Sequence, residues 1–342
     1  MIGPLQLGVL MVEVTRRCPR RCAFCYVRPG TPDLPGAGPE LPVADLARLA
    51  LQITHVESCP RVQLSGGEPL LRPDLLDLVD RLREADLAVS LITDGAGLDA
   101  SLSRQLAARD VGPVQPTLLA GRPAPQDRLR GPGAFATATR AIAEAAAAGL
   151  EVSVSYVITR ENHAEARAVA ELAFALGART LALHRFCPAG TARARMDRLL
   201  PTAAQVREAA SAAAEAGQAL GLAIAAAITV PACVWPDPAA PPVPTGTCAL
   251  MGADRTTVTL GPDGTVRSCS LSSRVHGTLL DPETPWPVLA QRLWQDELQP
   301  LRDTLPRLCQ ACDHAPRCRG GCRLSAPPGD PTGADALAPG WP

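Results

Sequence analysis

The chain has 342 residues, a formal net charge of −1 at pH 7, 46% hydrophobic residues and only 3% aromatic residues. This length suits one large domain with an appendage, and the near-neutral charge with few aromatic residues argues against a nucleic-acid partner. No apolar run reaches the roughly 20 residues of a membrane span and the N-terminus lacks signal-peptide features, so we expect a cytoplasmic protein with no membrane partner.

Twelve cysteines are the second compositional signal. The reducing cytosol disfavours disulfides, so metal binding is the preferred interpretation. All 33 basic residues are arginines. The absence of lysine excludes chemistry anchored on a lysine Schiff base, including pyridoxal-phosphate catalysis.

The first 190 residues alternate strand-like and helix-like patterns. Apolar residues recur at helical spacing in 43–56, 74–85, 134–148 and 164–176. Between them, short apolar segments predict strands at 8–15, 61–65, 88–93, 114–119, 151–159 and 180–185. Six such units predict a parallel sheet, either an open doubly wound sheet or an incomplete barrel.

The pattern changes after residue 200. Residues 201–228 predict an alanine-rich helix or helix pair, and the proline-rich stretch 231–245 predicts a linker. The last residues are rich in proline, glycine and aspartate, which predicts a loosely attached tail. The predicted parts are a barrel in 1–200, a helix and linker in 201–246, a cysteine-rich module in 247–325 and the tail in 326–342.

Distinctive residues follow the ends of successive predicted strands. The cysteine-containing segment 18–25 follows the first strand, 65–69 the second and 93–95 the third. Thr117 lies near the end of the fourth strand, and 185–190 follows the sixth. Because the C-terminal ends of barrel strands carry the active site, we expect these residues to share one rim.

Cys18, Cys22 and Cys25 lie within eight residues. Three thiolates can bind three irons of a cubane cluster and leave the fourth iron open to a substrate, whereas electron-transfer clusters are normally closed by four cysteines. The alternatives are a structural zinc site or buried thiols. Zinc sites need a second cysteine or histidine pair nearby, and none follows Cys25 closely.

The spacing C-x3-C-x-aromatic-C, with Phe24 as the aromatic residue, resembles the signature of the radical S-adenosylmethionine (SAM) enzymes. Together with the alternating strands and helices, the resemblance implies a partial (β/α)6 TIM-like barrel. It also implies a [4Fe–4S] cluster whose open iron chelates SAM, and a 5′-deoxyadenosyl radical that abstracts hydrogen from the substrate. A flavodoxin- or ferredoxin-like protein would supply the electron.

Four positions after the second strand resemble the family's Gly-Gly-Glu-Pro segment, in which glycines permit close backbone approach and the glutamate suits the methionine ammonium. Asp94 stands where the family usually has asparagine, and Thr117 where a ribose-binding serine is common. Arg130 either orders its loop or reaches the SAM carboxylate. The resemblance thus implies a SAM-binding set, while the catalytic residues stay unassigned: Gly66, Gly67, Glu68, Pro69, Asp94, Thr117 and Arg130.

The second group of cysteines resembles the SPASM extension of radical SAM enzymes, which implies one or two auxiliary iron–sulfur clusters. The spacing is Cys309-x2-Cys312-x5-Cys318-x3-Cys322, with Cys248 and Cys269 upstream. By this resemblance the first auxiliary cluster uses Cys248, Cys269 and Cys322. The second uses Cys309, Cys312 and Cys318. A zinc ribbon is the alternative for the same cysteines.

Two departures from the family pattern leave ligands open. No cysteine follows Cys322, and none stands between Cys248 and Cys269. The second cluster could be completed by Cys233, Cys187, Cys59, an aspartate such as Asp335, or no protein ligand. Cys59 and Cys187 also suit ordinary buried positions. His184, at the sixth strand, is either a contact to SAM or substrate, or a core histidine.

Three functions fit this resemblance. The first is radical modification of a ribosomally made peptide, by a crosslink or an oxidative decarboxylation. Because few residues precede the first strand, leader-peptide recognition would need a separate protein. The second is dehydrogenation or decarboxylation of a small natural-product or tetrapyrrole intermediate. The third is a non-catalytic iron–sulfur electron carrier or scaffold, against which residues 66–69 argue because a carrier needs no SAM pocket.

Overall fold

Each of the six predicted strands forms, with helical segments between them. The structure is a computed structural model that describes residues 5–27, 39–227, 229–244, 248, 250, 256–326 and 333–338. The strands are mostly buried, as is typical of a parallel sheet in an α/β fold. They are β1 (Leu7–Glu13), β2 (Arg61–Ser65), β3 (Ala88–Thr93), β4 (Val114–Pro116), β5 (Ser153–Ile158) and β6 (Thr180–Arg185).

The four helices predicted from apolar spacing are present, with bounds within two residues of those expected. Their apolar faces, such as that of Leu46, Leu49 and Ile53, pack into the core. Further helices lie between them. In chain order the helices of this region are α1 (Val43–Val56), α2 (Leu75–Arg83), α3 (Ala100–Ala107), α4 (Pro123–Arg130), α5 (Ala134–Ala147), α6 (Ala166–Ala175), α7 (Met196–Leu199) and α8 (Ala203–Leu220).

The alanine-rich region 201–228 holds one helix and a strand rather than helix alone. Thr202 and Gln205 form a capping box that begins α8, and Gly221, at φ 73°, ends it. Strand β7 (Ala223–Ala226) then pairs parallel to β6. Alanine favours helix locally, but the hydrogen bonds offered by the edge of β6 override that preference.

The parallel strands form a single arc. Strands β1 to β4 are hydrogen-bonded in sequence order, and β5 to β7 form a second sheet. Isolated bridges between Val114 and Val152 and between Thr117 and Ser155 connect β4 with β5. The predicted partial TIM-like barrel is confirmed, with one more strand than expected.

The C-terminal module extends the same sheet. Strand β8 (Thr256–Leu260) pairs parallel to β1, β9 (Thr265–Arg267) pairs antiparallel to β8, and β10 (Gly277–Thr278) follows. The sheet order is therefore β10-β9-β8-β1-β2-β3-β4. The short helices of this module are α9 (Trp286–Leu293), α10 (Gln299–Asp303) and α11 (Ala315–Cys318), with a π-helical turn at Trp294–Leu298.

Buried polar contacts hold the module against the barrel. Arg267 of β9 forms an ion pair with Glu13 of β1, and both side chains are buried. Trp286 is fully buried and its Nε1 donates to Oε1 of Glu57, 2.8 Å away, at the end of α1. These contacts offset part of the free-energy cost of burying the four polar side chains.

Part of the predicted loose tail is buried. Residues 333–338 are all buried, and Asp335 is fully so. Its carboxylate forms an ion pair with Arg185 at the end of β6 and accepts the amide of Cys322 at 2.7 Å. The expectation of a loosely attached tail is therefore wrong for this segment, because composition does not reveal a single buried ion pair.

The predicted linker also packs, since Val234 and Trp235 are buried. Within the part of the chain that the structure describes, no helix is long and apolar enough to cross a membrane.

Replacing Trp286 with alanine should lower the free energy of unfolding by about 3–5 kcal/mol, because the change leaves a cavity and an unpaired Glu57. Chemical denaturation followed by circular dichroism measures this. The matched control is Phe174→Ala, at an aromatic residue that is 44% exposed, where a change below about 0.5 kcal/mol is expected. Equal losses in the two variants would contradict the docking role of Trp286.

Candidate active site and cysteine groups

The cysteine loop after β1 sits at the predicted rim. Cys18, Cys22 and Cys25 are all half-buried. The amide of Ala23 donates to the carbonyl of Leu129 at 2.8 Å, which ties the loop to the end of α4. Burial raises the pKa of the Cys18 thiol to about 11, although the nearby amide of Arg20 opposes the shift.

Residues that follow β3 and β6, and one on α5, form hydrogen bonds with this loop. Thr191, after β6, donates its hydroxyl to the carbonyl of Cys25 at 3.1 Å. Arg20 reaches across the rim: its Nε donates to Oδ2 of Asp94 at 3.0 Å, and its Nη2 donates to Oγ1 of Thr137 at 2.9 Å. The loop is therefore fixed before any cofactor binds.

The ion pair of Arg20 and Asp94 explains one departure from the family pattern. Asp94 is 7% exposed, and its Oδ1 accepts the amide of Ala96 at 2.6 Å. An asparagine would keep only one of these two acceptor oxygens and would place a donor nitrogen at the other. The aspartate here is matched by an arginine within the cysteine loop, so its charge is compensated at the site.

Gly66 and Gly67 allow a close approach to the protein's own backbone. A Cβ on Gly67 would lie 2.2 Å from the carbonyl oxygen of Arg17, and one on Gly66 would lie 2.4 Å from that of Thr15. The amide of Gly67 donates to Thr15 and that of Glu68 to Arg17, at 2.7 and 2.8 Å. Only glycine fits, because the two loops are in direct contact immediately before Cys18.

Glu68 has protein partners for both carboxylate oxygens. It is fully buried and accepts the hydroxyl of Thr93 and the amide of Asp94, each at 2.6 Å, and the amide of Leu70 at 3.1 Å. Burial, followed by the charge of Asp94, raises its pKa to about 8. Glu68 thus positions the loop after β3, a role that the sequence pattern did not reveal. Pro69 begins the 3-10 turn Pro69–Leu71 beside it.

A cavity of about 450 Å³ lies inside the barrel beneath this rim. This volume is within the range of small-molecule sites. Side chains two residues apart on successive strands line it, as the period of a strand requires. They are Val9, Met11, Gln63, Ser65, Ile92, Gln115, Thr117, Ser155, Val157 and His184, with Phe24 and Tyr26 from the cysteine loop.

Two buried nitrogens near the cavity have no hydrogen-bond partner among the described residues. Arg130 is 3% exposed; its Nη1 donates to the carbonyl of Thr117, and its Nε has no partner. Nε2 of His184 also has none, and burial lowers the pKa of this histidine to about 4, so it is neutral at pH 7. Unpaired buried donors carry a free-energy cost that a bound ligand would remove. A carboxylate-bearing ligand such as SAM fits the free Arg130 nitrogen.

The predicted first auxiliary set faces the same cavity. Cys248, Cys269 and Cys322 line it, although they are separated in sequence by up to 74 positions. Cys187, after β6, lines it too. The sequence indicated only a possible role for Cys187 in the second set, because nothing in the local pattern distinguishes a ligand from a buried thiol.

In the second set Cys309 ends the turn Arg307–Cys309, Cys318 ends α11 and Cys312 lies between them. None of the three lines the cavity. The amide of Cys312 donates to the carbonyl of Cys309 at 3.2 Å. Asp335 and Cys59 do not complete this set. The Asp335 oxygens are taken by Arg185 and by the amides of Cys322 and Leu337, and Cys59 is buried beside β2, where its thiol contacts Arg61.

Replacing Gly67 with alanine should abolish iron binding by the cysteine loop, because the added Cβ pushes the preceding backbone away from its position. Iron analysis after anaerobic reconstitution measures this. Gly97→Ala is the control for backbone strain on the rim. A Cβ there would have no atom within 4 Å, so that its only penalty comes from φ 87°. If Gly67→Ala binds as much iron as the control, the close contact is unimportant.

Comparisons with known proteins agree with this site. The model of the radical SAM superfamily matches residues 12–173. The chain is 31% identical over 335 residues to the PqqA peptide cyclase of Ruegeria pomeroyi, covering 96% of this chain and 86% of that protein. It is 28% identical over 314 residues to the mycofactocin maturase MftC of Mycobacterium ulcerans, covering 91% and 81%.

A solved structure with the same fold is SuiB of Streptococcus suis bound to S-adenosylmethionine. Its TM-score is 0.74 at 14% identity, over 96% of this chain and 76% of that chain. SuiB bound to its precursor peptide SuiA gives 0.70, over 93% and 72%. The resemblance seen in the cysteine spacing is confirmed. The chain belongs to the radical SAM superfamily and to its SPASM-type members, and it is an enzyme that uses a [4Fe–4S] cluster with an open iron, SAM and auxiliary iron–sulfur clusters.

Proposed function

We propose that this enzyme modifies a ribosomally made peptide, forming a crosslink or carrying out an oxidative decarboxylation. The observation that carries the proposal is the 31% identity to a peptide cyclase along almost the whole chain. The likeness to a maturase and to a structure with a bound precursor peptide supports it. A small-molecule substrate remains an outcome of the test below.

The cysteine loop at the rim and the auxiliary cysteines have different roles in the proposed reaction. Cys18, Cys22 and Cys25 would bind three irons at the rim, and the loops of Gly66 and Asp94, which contact the cysteine loop, would hold SAM beside them. When bound, this cluster and SAM supply a 5′-deoxyadenosyl radical, and the auxiliary clusters supply an acceptor for a second electron. Both products named above require the removal of two electrons from the peptide, one with the abstracted hydrogen atom and one afterwards.

The cavity itself restricts the reaction. Its apolar lining, including Val9, Met11 and Ile92, excludes water from a radical that would otherwise react unproductively. A volume of about 450 Å³ is that of a small-molecule site, which favours the entry of single peptide side chains over that of a folded segment. Neutral His184 can accept or donate one hydrogen bond to such a side chain, without adding charge.

We further propose a cytoplasmic enzyme that receives electrons from a flavodoxin- or ferredoxin-like protein. All twelve cysteines lie in the described residues, and none of them forms a disulfide there. A reducing compartment keeps thiols available for iron.

Anaerobic reconstitution with dithionite, SAM and a short precursor peptide encoded beside the gene tests the proposal. We expect 5′-deoxyadenosine to form and the peptide to lose two hydrogens, or carbon dioxide as well, by mass spectrometry. Formation of 5′-deoxyadenosine with turnover of a small metabolite but of no such peptide would reject the peptide assignment. Absence of SAM cleavage in the fully loaded enzyme would reject the radical reaction.

Replacing Cys18, Cys22 and Cys25 together with alanine should abolish 5′-deoxyadenosine formation while auxiliary iron remains. The thiolates of this loop hold the only cluster whose open iron is assigned to SAM. Chromatography of the nucleoside and iron analysis give the two readouts. Cys59→Ala, at a buried thiol outside the three groups, is the control and should keep both. SAM cleavage by the triple variant would refute the assignment.

A further inference from the structure

We propose that Cys187 is the fourth protein thiolate of the first auxiliary cluster, beside Cys248, Cys269 and Cys322. The proposal rests on the assignment of those three cysteines as cluster ligands. It names a ligand outside the C-terminal module, on the loop that follows β6.

The first argument is proximity. The Sγ atoms of Cys187 and Cys322 are 3.8 Å apart, and these residues are 6% and 5% exposed. A disulfide would require about 2.05 Å, so both are free thiols. Cys248 and Cys269 line the same cavity. Four cysteines from four separate segments therefore converge on one wall, which is the number that closes a cubane cluster.

The second argument is charge. Arg185 is fully buried two residues before Cys187, and its ion pair with Asp335 holds it in place. The side chain of Arg185 lines the same cavity as the four cysteines. A permanent cation thus lies in the cavity that the thiols share. It offsets the negative charge that accumulates when thiols lose their protons to bind iron.

The third argument is the way in which Cys322 is held. Its amide donates to Oδ2 of Asp335 at 2.7 Å, and a Cβ on neighbouring Gly321 would lie 2.6 Å from the same oxygen. Asp335 in turn binds Arg185. These contacts fix the backbone of Cys322 to the end of β6. Because Cys187 follows β6 directly, the two sulfurs lie close together.

A different contact carries a second inference. We infer that Cys233, in the proline-rich segment, completes the second auxiliary set. The amide of the preceding residue, Ala232, donates to Sγ of Cys318 at 3.3 Å, so this segment lies directly on that set. Cys233 therefore directly follows a residue whose backbone contacts a sulfur of the second set.

The experiment uses the full chain in which Cys18, Cys22 and Cys25 are alanine, so that only auxiliary clusters remain. Cys187→Ala, Cys187→Ser, Cys233→Ala and the control Cys59→Ala are added to it one at a time. Each protein is reconstituted anaerobically. Iron and sulfide are then measured, and electron paramagnetic resonance spectra are recorded after dithionite and after mild oxidation.

Cys187→Ala should leave one cluster with three thiolates. That cluster should lose its open iron on mild oxidation and show the signal of an oxidised three-iron cluster, whereas the other cluster keeps its spectrum. Cys187→Ser retains the side-chain volume and offers an oxygen ligand, so four irons should remain with a shifted spectrum. It also serves if the alanine variant folds poorly. Cys233→Ala should produce the same changes in the other cluster only.

Iron content and spectra of Cys187→Ala that match those of Cys59→Ala would overturn the first inference, and the same match for Cys233→Ala would overturn the second. If both variants alter one and the same cluster, the division into two sets is wrong. If the parent variant binds zinc, or no iron and sulfide at all, the auxiliary clusters themselves are absent and both inferences fall with them. SAM cleavage by the unaltered enzyme is measured separately. Failure of the two ligand assignments can therefore be distinguished from failure of the radical reaction.

Discussion

The parallel pairing of β8 with β1 is the constraint on which the arrangement of this site depends. Leu10 lies beside Val258 and Met11 beside Thr259, so the C-terminal module continues the barrel sheet instead of hanging from it. The buried pair of Glu13 and Arg267 fixes the next strand. Because the added strands continue the sheet, Cys269, which follows β9, and Cys322 line the cavity of the barrel.

The rim opposite is held by backbone contacts and one buried carboxylate. The loop at Gly67 touches the segment before Cys18 directly, and Glu68 joins the loops after β2 and β3 through three accepted hydrogen bonds. Satisfied buried groups of this kind rigidify their surroundings. The cysteine loop is therefore preorganised, which spares the enzyme the cost of ordering it when iron and SAM bind.

A second buried charge pair connects the barrel to the auxiliary cysteines. Arg185 ends β6, Asp335 comes from the tail, and between them they hold Cys322 beside Cys187. A buried ion pair is weak evidence for stability. Here the additional hydrogen bonds of Arg185 and Asp335 fix the geometry of the pair. The same pair leaves a positive charge where thiolates gather. The pair of Arg185 and Asp335 thus both positions Cys322 and supplies the positive charge near the thiols.

The sequence by itself determined the alternation of strands and helices, the cysteine loop and the rim to which it belongs, since these follow from local periodicity and short spacings. It also determined the family, because the spacing of Cys18, Cys22 and Cys25 is tied to one chemistry. Only the tertiary structure decided that β7 is a strand, that Glu68 positions a loop and that the tail is buried. It alone brought Cys187 to Cys322, 135 positions away. Contacts between distant segments depend on packing and on buried charge, which no local pattern of residues records.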